Sequence, residues 1–397
     1  MIETLLLELL RGISFIIYQP LFYWFFLLLI IVSVKRAKQE RLDFGSKIYQ
    51  FGAELRNTWW LSFTSMVILS GAFIVSGSFL PISFIVLLSA WTIVLSITGN
   101  LTLLSPAYVF GMTFVTVLLL VQFSIPYIPT GWYADLYELH YPLVLLILSL
   151  FLLMEAILVF ATREGGFPRL LKGKRGKFIG IQKVNRLTVL PLFVLIPTGD
   201  ITLPIQWWPV FPVGNGGFHL MLVPFLIGVD QSFQGMYAKA GAKLLGKWIL
   251  LLALLTGVAA IGSFYVPVVA YIGIGIALIG RFIIFLSVRF VDQEKLALFS
   301  PQSDGLPILS VIPHSPAHKM GLEVGEKIEK VNQIPVSNEQ EFYEAIQRNR
   351  TFCKLEVRNL DGELRFVQRA LYEGEHHELG LVFIKEKPRF RLYQDLS

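Results

Sequence analysis

Six histidines and one cysteine are the first residues of this chain to weigh as zinc ligands, base or nucleophile. Zinc hydrolysis needs two histidines one helical turn apart with a glutamate beside the first, the HExxH pattern that places both ligands on one helix face. His140, His219, His314, His318, His376 and His377 supply no such pattern. His314 and His318 have the i, i+4 spacing, but Ser315-Pro316 interrupts it. His376 and His377 are adjacent in a polar turn and read as solvent-facing. Cys353 lies in a strand-like run beside Lys354, Leu355 and Val357, with no neighbour to depress its pKa, and reads as a buried thiol. Gly77-Ser78 with His219 is too weak a pattern for a serine nucleophile and its base, and no glycine loop with lysine is present to cradle a phosphate. Catalysis, a metal and a cofactor all lack their residues.

A second kind of chemistry comes from charges inside apolar runs, where each is costly and marks a site or a pair. Glu155 and Arg281 lie at matching depth from the ends of their runs and can meet as an intramembrane ion pair if those helices touch. Asp200 and Asp230 fall near the ends of runs and read as wet, and His219 as an ordinary hydrogen-bonded residue.

The elements that hold these residues are membrane helices. The 397 residues are 54% hydrophobic and only 16% charged, against about a quarter charged in soluble domains. Apolar runs at 13–34, 59–78, 82–97, 103–121, 141–161, 248–265 and 266–288 are long enough to cross a bilayer core of about 30 Å. The runs 187–203, broken by Pro191 and Pro197, and 217–229 read as two further spans or one re-entrant hairpin, giving about seven to nine transmembrane helices. The first run lacks the basic start and cleavage site of a signal peptide and is expected to stay as an anchor.

Residues 1–290 hold 20 of the 34 Lys and Arg, and 17 of these fall in the stretches 35–56, 163–186 and 239–247. Short basic loops resist translocation, so these three stretches mark the cytoplasmic side and place the C-terminal part there too. Their positive charge fits membrane topology and anionic lipids, not nucleic acid. This count puts the N-terminus outside, whereas Ile2, Leu5, Leu6 and Leu9 against Glu3, Glu8 and Arg11 fit an interfacial helix; both readings stay open.

The expected organisation is a membrane domain at 1–290, a linker at 291–303, a cytoplasmic domain at 304–388 and a tail at 389–397. In the cytoplasmic domain, 306–312 reads as a strand, and 354–360 and 363–371 flank Asp361-Gly362 as a hairpin. Ser337 with Gln340 forms a capping-box pattern for a helix through Gln347, with Phe342, Ala345 and Ile346 on one face.

The stretch Ser315-Pro316-Ala317, Gly321-Leu322, Gly325-Glu326-Lys327-Ile328 and Val331-Asn332 resembles bacterial PDZ domains of the protease-associated kind. The resemblance implies a glycine-containing loop that holds a peptide's terminal carboxylate, with the peptide added as a strand against a helix. The expected loop is missing ahead of the first strand, but Glu378-Leu379-Gly380-Leu381-Val382-Phe383 occurs at the far end, as in a circular permutation. Leu379, Gly380 and Leu381 are then the expected carboxylate loop, with Phe383, Phe342 and Ile346 lining the groove; the alternative is that Leu381 and Phe383 are ordinary strand core. The expected fold is a polytopic α-helical membrane domain followed by a small α/β PDZ domain of mixed sheet plus helices.

The whole layout, spans, a basic loop such as 172–177 and this C-terminal domain, is similar to the MinJ family of division-site topology factors from Gram-positive rods. The resemblance implies a non-enzymatic scaffold at septa and poles that bridges the polar coiled-coil protein DivIVA to the ATPase MinD, so that MinC acts there and FtsZ rings form once per cycle. The alternative is a PDZ-bearing transporter or a regulatory subunit of another membrane complex. An intramembrane protease is opposed by the missing HExxH.

Overall fold

The computed structural model describes residues 2–56, 58–123, 129–137, 139–162, 166–173, 176–199, 217–300, 305–349, 352–370 and 379–385. The N-terminal part carries the helices α1 (Ile2–Ser14), α2 (Pro20–Phe44), α3 (Trp59–Ser76), α4 (Ile82–Ser96), α5 (Pro106–Phe123), α6 (Thr130–Tyr137), α7 (Tyr141–Phe160), α8 (Ala238–Ser263) and α9 (Val268–Glu294). Among the described residues six of them, α2, α3, α5, α7, α8 and α9, are long and apolar enough to cross a membrane. This is a membrane protein. Helix α4, with 15 residues, spans about 22 Å and falls short of a bilayer core of about 30 Å. Helix α2 opens on Pro20, whose fixed φ suits a first turn, and ends at Gly45 with φ +87°. The three lysines of 239–247 lie not in a loop but in the opening turns of α8.

Between the helices runs a three-stranded antiparallel sheet, β1 (Phe167–Lys172), β2 (Phe178–Gly199) and β3 (Gly217–Phe233). This corrects the expectation for 187–203 and 217–229, which are the two arms of one β-hairpin and not helical spans. The prolines give the reason. Inside a helix Pro191 and Pro197 would each remove a hydrogen bond and clash with the preceding turn; in the hairpin Pro191 stands opposite Pro224 and Pro197 opposite Phe218. Strands covered on both faces carry unbroken apolar runs, so they imitate a buried helix in sequence. Val184, Leu190, Val223, Phe225 and Ile227 share one core with Leu148 and Phe151 of α7 and Leu245 and Ile249 of α8. At about 3.3 Å per residue the 17 residues of β3 extend to about 55 Å.

An open sheet edge inside a membrane must find partners for its backbone groups. Polar side chains on and between the surrounding helices supply them. Ser70 Oγ accepts from Phe193 N at 3.0 Å, Gln19 Nε2 donates to Leu222 O at 2.6 Å, and Thr102 Oγ1 donates to Asp230 O at 2.5 Å. Leu80 N donates to Leu195 O at 3.1 Å.

The C-terminal domain contains β4 (Leu306–Pro307), β5 (Ser310–Val311), α10 (Pro316–Lys319), β6 (Lys327–Val331), β7 (Ile334–Pro335), α11 (Glu339–Arg348), β8 (Phe352–Arg358), β9 (Leu364–Ala370) and β10 (Leu381–Val382). The order β4-β6-β8-β9, with β7 also on β6, makes one sheet, and β5 pairs with β10 in a second. The single strand expected over 306–312 is two pieces because the backbone changes partner midway: Ile308 N donates to Glu326 O, and Leu309 N to Val382 O. Asp361-Gly362 turns β8 into β9 with Gly362 at φ +86°. Helix α11 starts one residue later than expected. Asn338 is its cap, accepting from Glu341 N, while Glu341 Oε2 accepts from Ser337. The last ten described residues of the chain's middle join the two parts: α9 takes 291–294, Leu298 N donates to Gln234 O, and Gly180 N to Phe299 O.

The domain is seated on the membrane part. Phe299, Leu309, Val382 and Ile384 pack with Phe44, Ile48 and Leu170 in one apolar cluster. Tyr49 Oη lies 2.9 Å from Ser310 Oγ, and Lys385 Nζ donates to Phe44 O at 2.7 Å.

Candidate functional site

The strand after Gly380 alternates. Leu379, Leu381 and Phe383 point into the core of the C-terminal domain, and Val382 and Ile384 into the seat on the membrane part. One edge of β10 is taken by β5, with Leu381 opposite Val311 and Val382 opposite Ser310. Across the other side lies α11, and the Phe342 and Phe383 rings meet edge to face with centroids 4.9 Å apart. Lys385 Nζ stands 3.8 Å from Glu339 Oε2 at the start of the same helix.

The structure thus brings together all six residues named for the groove, but in a closed arrangement. Leu379, Phe342 and Ile346 are fully buried, Phe383 is 1% and Leu381 6% exposed, and Gly380 is buried. Gly380 holds φ +84°, and a Cβ there would collide with the Ser315 side chain. The carbonyls of Leu379 and Gly380 accept from Ala317 N and Ile312 N, each at 2.8 to 2.9 Å. A peptide strand between β10 and α11 therefore needs α11 to move away from Phe383.

Within the helices, Arg281 and Glu155 also meet. Arg281 Nε and Nη2 donate to Glu155 Oε1 at 3.0 and 2.9 Å, and Ser105 Oγ donates to Glu155 Oε2 at 2.6 Å. Both charged side chains are at most 1% exposed, and Arg281 Nη1 is buried with no hydrogen-bond partner among the described residues. Asp230 pairs with Lys183 at 2.9 Å, and His219 Nδ1 with Glu8 Oε2 at 3.0 Å. Asp200, His376 and His377 lie outside the described residues. Cys353 is buried in the C-terminal core, where burial pushes its thiol up to about 12.

Sequence reasoning missed a second buried charge cluster. Arg36 donates to Glu54 at 2.7 Å, to Glu40 at 2.8 Å and to Gln50 O at 2.7 Å, with its guanidinium over the Phe167 ring. Counted only as basic loop residues, 35–56 looked like a topology marker; the i, i+4 spacing of Arg36 and Glu40 was the available signal. This cluster fixes the segment after α2, whose Tyr49 touches Ser310 of the C-terminal domain.

Residues 308–359 match the PDZ domain family. Over 390 residues, 96% of both chains, the sequence is 32% identical to the "Cell division topological determinant MinJ" of Bacillus subtilis (strain 168). The chain belongs to the MinJ family. The "Probable cell division topological determinant MinJ" of Lacticaseibacillus paracasei is 35% identical over 119 residues, 29% of each chain, as is that of Lacticaseibacillus casei (strain BD-II). No solved structure matches the chain. In this MinJ family member the PDZ match contains Phe342 and Ile346 but ends before Leu379, although Leu379, Leu381 and Phe383 belong to the same buried core.

Proposed function

We propose that this member of the MinJ family is a non-enzymatic membrane scaffold for division-site selection, with its PDZ domain on the cytoplasmic side and its bulk enriched at septa and poles. It recruits a DivIVA-like polar scaffold and a MinD-like ATPase, and so helps restrict FtsZ-ring assembly to midcell. The observation that carries this reading is the likeness to the Bacillus protein along 96% of both chains, membrane part included. A PDZ domain seated against the membrane part through Phe299, Val382 and Ile384 suits a protein whose output is position. In this reading the groove is the gap between β10 and α11, opened when α11 swings away from Phe383, and it takes a peptide segment or C-terminus as an added strand.

A fluorescent fusion followed through one cell cycle tests the proposal. Bands at midcell and poles, with filaments or misplaced septa on deletion, are expected. Uniform membrane fluorescence together with normal cell length on deletion would overturn it.

A further inference from the structure

A cavity of about 540 Å³ opens where the PDZ domain meets the membrane part, within the range of small-ligand sites. Its walls come from stretches far apart in sequence: Tyr49 and Arg56 between α2 and α3, Gln182 of β2, the opening turns of α8, and PDZ-domain residues that include Leu322, Glu323 and Leu360. Its charge is lopsided. Arg56, Lys239 and Lys243 face the space together with His318, against the single carboxylate of Glu323. Lys239 and Lys243 sit one helical turn apart on α8, and neither makes a hydrogen bond or ion pair with any described residue. The helix contributes its own positive end, since the Tyr237 side chain makes no cap bond and Gln182 takes only the Ala238 N–H.

The height of the cavity is set by tryptophans. Trp59 and Trp60 follow Arg56 closely and are 65% and 80% exposed, and Trp248 stands five residues beyond Lys243 on α8 and is 47% exposed. Exposed tryptophans collect at the boundary between hydrocarbon and water. Past Trp248 the exposed large side chains of α8 are Leu251, Leu254, Leu255, Val258 and Ile261. Five residues of helix rise about 7.5 Å, so the unpaired lysines lie in the layer that lipid headgroups occupy.

From these observations we infer that the cavity binds a phosphate group, carried by an anionic lipid headgroup or by a soluble phosphate ester, with Lys239, Lys243 and Arg56 as its cationic contacts. A bound phosphate brings negative charge to the two unpaired lysines and meets the open end of α8, as phosphates do at helix N-termini. Because Leu322, Glu323 and Leu360 form the opposite wall, the ligand also ties the PDZ domain to the membrane part.

The full chain in phosphatidylcholine nanodiscs, with and without phosphatidylglycerol, is the test system. Native mass spectrometry reads retained lipid, and calorimetry with glycerol phosphate reads the soluble source. Lys239→Ala with Lys243→Ala is expected to weaken binding about 30-fold, about fivefold per lysine, with an unchanged melting temperature. Lys247→Ala, one turn nearer the hydrocarbon and outside the cavity, should leave binding as in the wild type. Retention of phosphatidylglycerol alone assigns the lipid, and binding of glycerol phosphate assigns the soluble ester. Equal binding by the double variant, an equal loss from Lys247→Ala, or preference of the same lysines for an acidic peptide lacking phosphate would overturn the inference.

Discussion

The side-chain amide of Gln19 donates to the backbone carbonyl of Leu222 at 2.6 Å, joining residues 203 positions apart. The bond matters because Leu222 lies on the outer strand of a hairpin packed among apolar helices, where water is scarce and an open carbonyl is expensive. Gln19→Leu should therefore destabilise the detergent-solubilised chain by about 1–3 kcal/mol, and Ser70→Ala, which strands the Phe193 N–H, by a similar amount. Thermal unfolding measures both. A melting temperature equal to wild type in each variant would mean that water or lipid groups reach the hairpin edges.

Arg281 and Glu155 behave as a unit. Removing either alone leaves a buried charge without its counter-ion, so Glu155→Gln and Arg281→Leu should each cost about 3–5 kcal/mol. The pair Glu155→Leu with Arg281→Met removes both charges and should recover most of that loss. Folded yield and thermal unfolding of the three variants form the measurement. A double variant as unstable as the singles would point to a task for the charges beyond holding α5, α7 and α9 together.

Gly380 is more constrained than its place in a loop suggests. Gly380→Ala meets both the left-handed strain of about 1–2 kcal/mol and the Ser315 side chain. Gly362→Ala meets the same kind of strain with open space around it, and should be clearly milder. A larger substitution at Gly380 disrupts the domain whether or not a peptide binds, so loss of partner capture by such a variant says nothing about the groove. Equal melting temperatures for the two alanine variants would contradict this geometry.

Cys353 should resist alkylation. Its thiol is buried and pushed up to about 12, so little thiolate exists at pH 8. Maleimide labelling of the folded chain is expected to be slow and to become rapid only after denaturant is added. Prompt labelling at pH 8 would show that the domain opens readily.

Burial raises the Glu339 carboxyl above its ordinary 4.5, with Lys385 pulling it part of the way back. The folded chain then holds this proton more tightly than the unfolded chain, so ionised Glu339 lowers stability above its folded pKa, and the deficit fades as pH falls toward 4.5. Glu339→Gln should melt higher than wild type at pH 7, with the two converging at pH 4. A difference that grows on acidification would reverse the assignment.

What could be read beforehand follows from the range of the forces involved. Helix length and burial of Glu155 with Arg281 were legible because an apolar run and a charge inside it are local facts. The β-hairpin was hidden because Leu187, Val189 and Leu192 sit in strands covered on both faces, where no alternation betrays the two-residue period. Prolines at 191, 197 and 224 were the local hint. That the six residues expected to line a groove lie together could be read from the PDZ-like stretch and its displaced strand, but the edge-to-face contact of Phe342 with Phe383 depends on how α11 settles, which no short motif encodes. The cavity beside Lys239 and Lys243 was illegible, since its walls are distant in sequence.

Leu381 and Phe383 face one way and Val382 and Ile384 the other, so four consecutive residues serve two interiors simultaneously. Side chains on a strand swap faces with every one-residue step. A single insertion after Gly380 would thus evict both pairs from their places in one event, unseating the domain and hollowing it together. Evolution can exchange residues in this stretch for others of like volume, but it cannot lengthen or shorten it by one.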